Sequence, residues 1–213
     1  KEAKVRQAIR IGVDMNKVRE GVAEGEKLDY PILDSQVSGL SYPELPKYDV
    51  EAARKLLADA KLTYNEEEKK IYNIDGGVAT INVAVLKRDK ILNRAERFAE
   101  ELKALGFEVS MNVFDESLAG ADFITSVIKP REYDILFYEI DLGVSADPFV
   151  YYSSTQANES GWNFSNYRNS LSDVNLLSAR LTADAKLRKA KYEAFLKSWV
   201  SEVPAIGLYR STL

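Results

Sequence analysis

The chain has 213 residues, 46% of them hydrophobic and 29% charged, which is the composition of a globular protein with one sizeable core. Its formal net charge of -4 excludes the basic face that a nucleic-acid-binding domain requires. His and Cys are both missing, which excludes Ser-His-Asp and Cys-His catalysis and removes the ligands that zinc favours. We predict no cofactor and no metal site.

The first part of the chain predicts helices separated by an irregular segment. Apolar residues at helical spacing indicate a helix over Glu2–Gly12, and Asp14 is placed to cap the short turn that follows. Prolines and a glycine between residues 29 and 47 break any regular element. Asp49 then predicts the N-cap of a helix. The apolar side of that helix is formed by Ala53, Leu56, Leu57 and Ala60.

The middle of the chain predicts strands around one long amphipathic helix. Residues 71–85 read as a hairpin with its turn at Asp75-Gly76-Gly77. Residues 91–105 form a broad apolar stripe that ends at Gly106, where a left-handed C-cap belongs. Residues 107–113 alternate as a strand, and Asp115 is expected to open another helix, which Pro130 stops.

The last third predicts one buried strand and two helices. The continuous apolar run Ile135–Tyr138 favours a strand at the centre of the sheet. Asp173 and Asp184 are the expected caps of two helices, and Ile206 begins a short final strand. The second of these helices is expected to bury Leu187, Ala194, Phe195 and Trp199. Strands that alternate with amphipathic helices predict an α/β layer fold.

Several short motifs occur in an order that is more specific than any one of them. They are Val5-Arg6-Gln7-Ala8-Ile9, Tyr48-Asp49, Tyr133-Asp134-Ile135, Asp147-Pro148 and Val203-Pro204-Ala205-Ile206. In this order they resemble family 5 of the extracellular solute-binding proteins, the dipeptide- and oligopeptide-binding type that feeds ABC importers. The resemblance implies an α/β lobe of the periplasmic-binding-protein type II fold, with a mixed sheet flanked by helices. Residues 1–213 would form this single, carboxy-terminal lobe, with the first lobe outside the chain.

The resemblance also implies a function. The chain would be the ligand-binding lobe of a substrate-binding protein that closes like a clamp around a peptide or another small molecule. The intact protein would deliver this ligand to an ABC permease in the membrane. It would be a monomer, extracellular or periplasmic and associated with the cell envelope, with its signal outside this sequence. Neither catalysis nor nucleic-acid binding is expected.

Five residues are the candidate ligand contacts. Asp141 directly follows the predicted central strand, and loops beyond the carboxyl ends of strands carry ligands in open α/β sheets. In the family that the chain resembles, an Asp in this loop pairs with the α-ammonium group of the peptide, and Asp141 is the best positional match. The other four lie in the polar, aromatic segment that follows: Tyr151, Tyr152, Trp162 and Asn163. Tyr138 and Phe164 are expected to complete the core, and Asp147-Pro148 to cap a helix.

Two other functions stay open at this point. A carboxylate-only hydrolase, similar to a glycoside hydrolase, could act through two of Asp141, Asp147 and Glu139. Such an enzyme needs two carboxyl groups about 5–10 Å apart across a cleft. A stand-alone interaction domain is the third possibility.

Overall fold

The computed structural model describes residues 2–118, 120, 122–141 and 147–210. It divides the chain into two units: unit 1 comprises Lys1–Gly21 and Pro46–Glu139, and unit 2 comprises Val22–Leu45 and Ile140–Leu213. The predicted α/β class is confirmed, with parallel and antiparallel strands in two separate sheets. The assignment of residues 1–213 to a single lobe stays a prediction.

Unit 1 begins with three helices: α1 at Ala3–Gly12, α2 at Met15–Val18 and α3 at Val50–Asp59. Two predicted caps are confirmed. The Asp14 carboxylate accepts a hydrogen bond from the backbone N–H of Asn16 at 3.0 Å, and the Asp49 carboxylate accepts one from Ala52 at 2.9 Å. These acceptors satisfy N–H groups that have no partner inside their helices.

The strands of unit 1 are β1 at Thr63–Asn65, β2 at Lys70–Tyr72, β3 at Thr80–Leu86, β4 at Glu108–Phe114 and β5 at Ile135–Phe137. β1 and β2 pair antiparallel, whereas β4, β3 and β5 form a parallel sheet in that order. Thr80 lies opposite Glu108 in this register, and Val83 lies opposite Ile135. Parallel strands require long connections, and helical segments supply them here.

Helix α4, at Asp89–Leu105, covers this sheet and joins β3 to β4. Its predicted apolar stripe is confirmed, and Phe98 packs edge-on against Phe137 of β5 with ring centroids 5.5 Å apart. Gly106 ends the helix at a φ of 120°, a conformation that residues with a Cβ rarely adopt. The buried residues of the helix are Ile91, Ala95, Phe98, Ala99, Glu101, Leu102 and Leu105.

Two strand predictions in unit 1 were wrong. The Gly76 turn forms, but the expected hairpin is reduced to one bridge between Tyr72 and Val78, because β2 pairs with β1 and β3 pairs with β4 and β5. The run beginning at Ile135 is not the centre of the described sheet. β3 holds that position, and its residues Val83–Leu86 are buried. Both segments are apolar, so the hydrophobic pattern alone could not decide which of them is the central strand.

The helix expected to begin at Asp115 was also misplaced. Asp115 instead accepts hydrogen bonds from the backbone and hydroxyl of Ser117. A π-helix at Ile124–Ile128 follows later, with the Asp122 carboxylate accepting from the N–H of Ile124 at 3.1 Å. Ala121, which belonged to the predicted helix, lies outside the described residues.

Unit 2 is built from helices packed on one another. They are a 3₁₀ turn at Glu24–Glu26, α5 at Phe149–Tyr152, a second 3₁₀ turn at Ser154–Gln156, α6 at Ser170–Leu181 and α7 at Ala185–Glu202. Helix α6 packs along α7, and α5 packs on α6. Their shared core consists of Ile32, Leu40, Tyr152, Tyr167, Leu176, Ala179, Tyr192, Phe195, Leu196 and Trp199.

Three details of unit 2 differ from the predictions. Asn169 caps α6, whereas Asp173 lies one turn inside and accepts from the N–H and hydroxyl of Ser154. Asp184 caps α7 as predicted, but Leu187 is exposed and not buried. The chain near Ile206 forms a single bridge between Tyr209 and Lys27 in place of a strand.

Within the described part of the chain, none of the helices has the length and apolar character needed to cross a membrane. Nor does the same part of the chain bring three or more acidic side chains close enough together to hold a metal ion.

Gly12 provides a test of the packing in unit 1. A Cβ at this position would lie 2.7 Å from a methyl group of Leu105 and 2.9 Å from the Cβ of Ala53. Gly12→Ala should therefore overpack the contact among α1, α3 and α4, lowering the free energy of unfolding by about 1–3 kcal/mol. Thermal unfolding followed by circular dichroism measures this as a lower Tm.

The matched control is Gly25→Ala, because no atom lies within 4 Å of its added methyl group. This variant should keep the wild-type Tm to within about 2 °C. A Gly12→Ala variant as stable as Gly25→Ala would show that the three helices are not packed as described.

Candidate functional site

The segment that carries the candidate site is organised by one buried amide. The side-chain NH₂ of Asn163 donates to the carbonyl oxygens of Ser153, at 3.0 Å, and Tyr167, at 2.8 Å. Its oxygen accepts from the backbone N–H of Tyr167 at 3.1 Å and from the hydroxyl of Ser165 at 3.0 Å. The amide thus uses all of its hydrogen-bonding capacity inside the protein.

A close backbone contact reinforces this loop. A Cβ on Gly161 would lie only 2.1 Å from the carbonyl oxygen of Gln156, so a larger residue does not fit there. Gly161 immediately precedes Trp162 in the chain. The backbone that leads into Trp162 is therefore packed directly against the backbone of Gln156.

Three aromatic rings form a cluster on this segment. The rings of Tyr151 and Trp162 meet edge to face, with centroids 6.4 Å apart, and Trp162 and Phe164 lie 5.9 Å apart. Trp162 is 52% exposed, whereas Tyr151 and Phe164 are half-buried. A large, partly exposed indole supported by two other rings offers a rigid apolar surface for a ligand.

Asp141 is joined to this cluster through Tyr151. The Tyr151 hydroxyl donates to the backbone carbonyl of Asp141 at 2.7 Å, and the Asp141 side chain is exposed. The same tyrosine thus contacts both the backbone of the candidate anionic residue and the exposed Trp162 ring. Residues 142–146, which follow Asp141, lie outside the described part of the chain.

The five candidate contacts therefore fall into two groups. Asp141, Tyr151 and Trp162 belong to one connected surface of unit 2. Tyr152 and Asn163 lie in the core, with 7% and 0% of their surface exposed. Their described contacts are made within the protein, and their role as ligand contacts stays an untested prediction.

Tyr152 is one of the central core residues of unit 2. Its ring lies 5.6 Å from that of Phe195 and 6.3 Å from that of Trp199. Burial raises the pKa of the Tyr152 hydroxyl to about 12, because a phenolate would lose its hydration there.

Asp147 does not cap α5, contrary to the prediction from Asp147-Pro148. The structure shows no side-chain cap on this helix, and the Asp147 carboxylate instead pairs with the guanidinium of Arg180 at 3.2 Å. Arg180 also lies over the ring of Phe149, 4.9 Å from its centroid. Sequence reasoning missed Arg180 because it is 33 residues away from its partner, and no local pattern links the two.

Tyr138 and Phe164, which the sequence places in the core, are both half-buried. Tyr138 stacks on Phe123 in unit 1, with centroids 6.0 Å apart. Phe164 packs against Trp162 in unit 2.

Of the three carboxylates considered for a hydrolase, two have a cationic partner. Asp147 pairs with Arg180, and Glu139 lies 3.8 Å from the guanidinium of Arg88.

Comparison with solved structures defines the class of the fold. The chain is similar to the oligopeptide-binding protein AppA from Bacillus subtilis, solved with a nonapeptide, at a TM-score of 0.81 and 20% identity, covering 98% of this chain and 42% of that one. It is similar to a dipeptide-binding protein from Pseudoalteromonas sp. SM9913, solved with Met-Leu, at a TM-score of 0.75 and 24% identity, covering 99% and 40%. NikZ from Campylobacter jejuni, solved with Ni(L-His), matches at a TM-score of 0.76 and 21% identity, covering 98% of this chain and 41% of that one. These likenesses show the periplasmic-binding-protein type II fold.

The family follows from the sequence. Residues 1–162 match the model of the bacterial extracellular solute-binding proteins, family 5 Middle, and the chain belongs to this family. It spans about two fifths of the length of the solved structures that it resembles. A search of curated proteins found no match. Family membership confirms the resemblance read from the sequence motifs and does not favour the hydrolase alternative.

Asn163→Ala tests the role of the buried amide. Removing the amide leaves the carbonyls of Ser153 and Tyr167 without their donor, so the free energy of unfolding should fall by about 2–4 kcal/mol. Chemical denaturation followed by tryptophan fluorescence measures the change. Ser165→Ala is the control: Ser165 is exposed, and the variant removes only one part-buried hydrogen bond to the same amide, so it should cost about 1 kcal/mol or less. Equal stabilities of the two variants would contradict the assignment.

The pKa of Tyr152 predicts a loss of stability at alkaline pH. The folded-state pKa of about 12 exceeds the value near 10 expected in the unfolded chain, so the folded form keeps this proton longer. Its contribution, on the order of 2 kcal/mol, is complete below pH 10 and disappears between pH 10 and 12.

Denaturant unfolding at pH 9 and pH 11 should therefore show a smaller pH effect in Tyr152→Phe than in the wild type. Tyr48→Phe is the control, because its ring is half exposed, and it should retain the wild-type pH dependence. An identical pH dependence in wild type and Tyr152→Phe would refute the prediction.

Proposed function

We propose that this chain supplies one ligand-binding surface of a solute-binding protein that serves an ABC importer, and that its ligands are peptides. The family match over residues 1–162 carries this proposal. The connected surface of Asp141, Tyr151 and Trp162 supports it, because it combines a carboxylate with an exposed aromatic face.

Asp141 is the proposed partner of the ligand's amino terminus. A carboxylate forms charge-assisted hydrogen bonds to an ammonium group, and these are about twice as strong as hydrogen bonds between neutral groups. The Tyr151 hydroxyl holds the Asp141 carbonyl at 2.7 Å, which limits the backbone positions open to this residue. A residue whose backbone is already ordered loses less conformational entropy when the ligand binds.

The aromatic cluster is the proposed contact for ligand side chains. The exposed Trp162 ring can cover varied apolar groups without requiring a particular shape, and Tyr151 adds a polar tip. Asn163 and Tyr152 act one layer below, where they hold the backbone and the core that support these rings.

Binding would occur by closure of two surfaces. In this proposal residues 1–213 form one lobe, a second lobe covers the other side of the ligand, and the closed form is stabilised by contacts that exist only when both lobes meet it. The intact protein would be extracellular or periplasmic and would pass its ligand to a membrane permease. It would act as a binding protein and not as an enzyme.

Asp141→Asn in the full-length protein tests the proposed recognition. The substitution keeps the size of the side chain but removes the charge that complements the ammonium group. Binding of peptides with a free amino terminus, measured by calorimetry, should weaken about tenfold or more, because the lost charge pair is buried by closure. N-acetylated versions of the same peptides should bind wild type and variant with nearly equal affinity.

Glu159→Gln is the matched control for charge. Glu159 is an exposed carboxylate three residues before Trp162, and its neutralisation should change peptide affinity less than about twofold. Asp147→Asn is unsuitable as a neutral control because Asp147 pairs with Arg180. Equal affinity of wild type and Asp141→Asn for free-amine peptides would remove Asp141 from the site.

A further inference from the structure

Helix α5 carries one of the candidate ligand contacts, Tyr151, but it is only one turn long. The helix spans Phe149–Tyr152, and the N–H groups of Tyr151 and Tyr152 both donate to the carbonyl of Pro148. A helix this short is unstable by itself, because its few hydrogen bonds do not offset the cost of forming the first turn. Contacts with other parts of unit 2 must therefore hold Tyr151 in place.

Helix α6 holds the beginning of this segment through Arg180. The guanidinium of Arg180 lies 3.2 Å from the Asp147 carboxylate and 4.9 Å from the ring centroid of Phe149. The other carboxylate oxygen of Asp147, Oδ1, is buried and has no hydrogen-bond partner among the residues that the structure describes. A carboxylate that is short of hydration is stabilised by a cationic partner. Without Arg180, the free energy would favour movement of Asp147 towards water.

The same helix holds the end of the segment through Asp173. Its carboxylate accepts a hydrogen bond from the N–H of Ser154 at 2.7 Å and another from the Ser154 hydroxyl. Asp173 and Arg180 are seven residues apart in α6, and so are their partners Asp147 and Ser154. Seven residues complete almost two helical turns, so both side chains leave α6 on one side, about 10 Å apart along its axis. Helix α6 thus contacts residues 147–154 at both ends.

Two contacts restrict this segment more than either contact alone. With one contact the short helix could still rotate about it, whereas contacts at both ends fix its direction along α6. Tyr151 lies between the two ends. Its hydroxyl donates to the carbonyl of Asp141 at 2.7 Å, and its ring meets that of Trp162. A shift of α5 would therefore move the backbone of Asp141 relative to the Trp162 ring.

We propose that Arg180 and Asp173 are positioning residues of the ligand site. From α6 they hold α5, so that Tyr151 keeps the backbone of Asp141 at a fixed distance from the Trp162 ring. Their effect on affinity requires no contact with the ligand, because a surface that is already ordered loses less conformational entropy on binding. This inference rests on the proposed function, which assigns Asp141 and the aromatic cluster to the ligand.

Arg180→Met in the full-length protein tests the positioning role. The substitution keeps a long apolar side chain beside Phe149 and removes the guanidinium. Calorimetry with a pool of short free-amine peptides should show affinity about fivefold lower, the effect expected for loss of a solvent-accessible ion pair. The same pool after N-acetylation should lose less than about twofold, because acetylated peptides do not use the Asp141 charge. Arg180→Lys keeps the charge beside Asp147 and should lose less affinity than Arg180→Met.

Lys197→Met is the matched control. It removes one positive charge from an exposed position of α7 and introduces the same side chain, so its affinity for both pools should stay within about twofold of the wild type. Asp173→Ala removes the contact at the other end of the segment. It should reproduce the selective loss for free-amine peptides, and it tests the proposal even if Arg180→Met does not fold.

Hydrogen exchange followed by mass spectrometry measures the effect on α5 without any ligand. Amides of residues 149–154 should exchange about fivefold faster in Arg180→Met than in the wild type, because the helix opens more often when one end is released. Lys197→Met should exchange like the wild type. Unchanged exchange in both Arg180→Met and Asp173→Ala would show that α6 does not hold α5 and would overturn the proposal.

A double-mutant cycle with Tyr151→Phe tests the route from α6 to Asp141. Tyr151→Phe removes the hydroxyl that holds the Asp141 carbonyl. In this background Arg180→Met should weaken binding of free-amine peptides by less than about twofold, because both substitutions release the same contact. Losses that multiply in the double variant would show that Arg180 does not act through Tyr151.

The binding results separate this proposal from the proposed function. If Asp141→Asn weakens binding but Arg180→Met and Asp173→Ala do not, the positioning role is wrong and the proposed function stands. If Asp141→Asn also binds free-amine peptides like the wild type, the ligand contact itself is wrong, and the positioning role fails with it.

Discussion

The surface proposed to meet the ligand depends on the buried amide of Asn163. Its four hydrogen bonds tie together Ser153, Ser165 and Tyr167, the backbone around the exposed Trp162. A buried amide is stabilising only when all of its donors and acceptors are satisfied, so the loop has one favoured conformation. Trp162, which lies in this loop, contacts the ring of Tyr151. The hydroxyl of Tyr151 in turn donates a hydrogen bond to the backbone carbonyl of Asp141.

Features set by neighbouring residues could be predicted from the sequence. The apolar stripe and the terminal Gly106 defined α4, and the caps Asp14, Asp49 and Asp184 marked where helices begin. Each of these signals acts within one or two helical turns, where spacing and capping chemistry decide the structure. The motifs likewise identified the family, because their order along the chain is specific even though each single motif is common.

Features set by distant residues could not be predicted in this way. The segments that form β3 and β5 are both apolar, so either could have been the central strand of the parallel sheet. β3 is central because it pairs with both β4 and β5. The polar character of Asn163 suggested a ligand contact, but its partners lie within the protein. Asp147 looked like a helix cap because the local sequence fits one, whereas the ion pair with Arg180 arises from tertiary packing. Asp141 and Trp162 are exposed, as expected for residues in a polar segment, and their role as ligand contacts stays a proposal.

The central claim is that this chain forms one of two surfaces that close on a peptide. Calorimetric titration of the same peptide pool into the isolated chain and into the full-length protein tests it most directly. We predict a shallow titration for the chain alone, because a ligand held by one surface keeps its other side in water, and a steep titration for the full-length protein. Sub-micromolar affinity of the isolated chain for peptide would contradict the account.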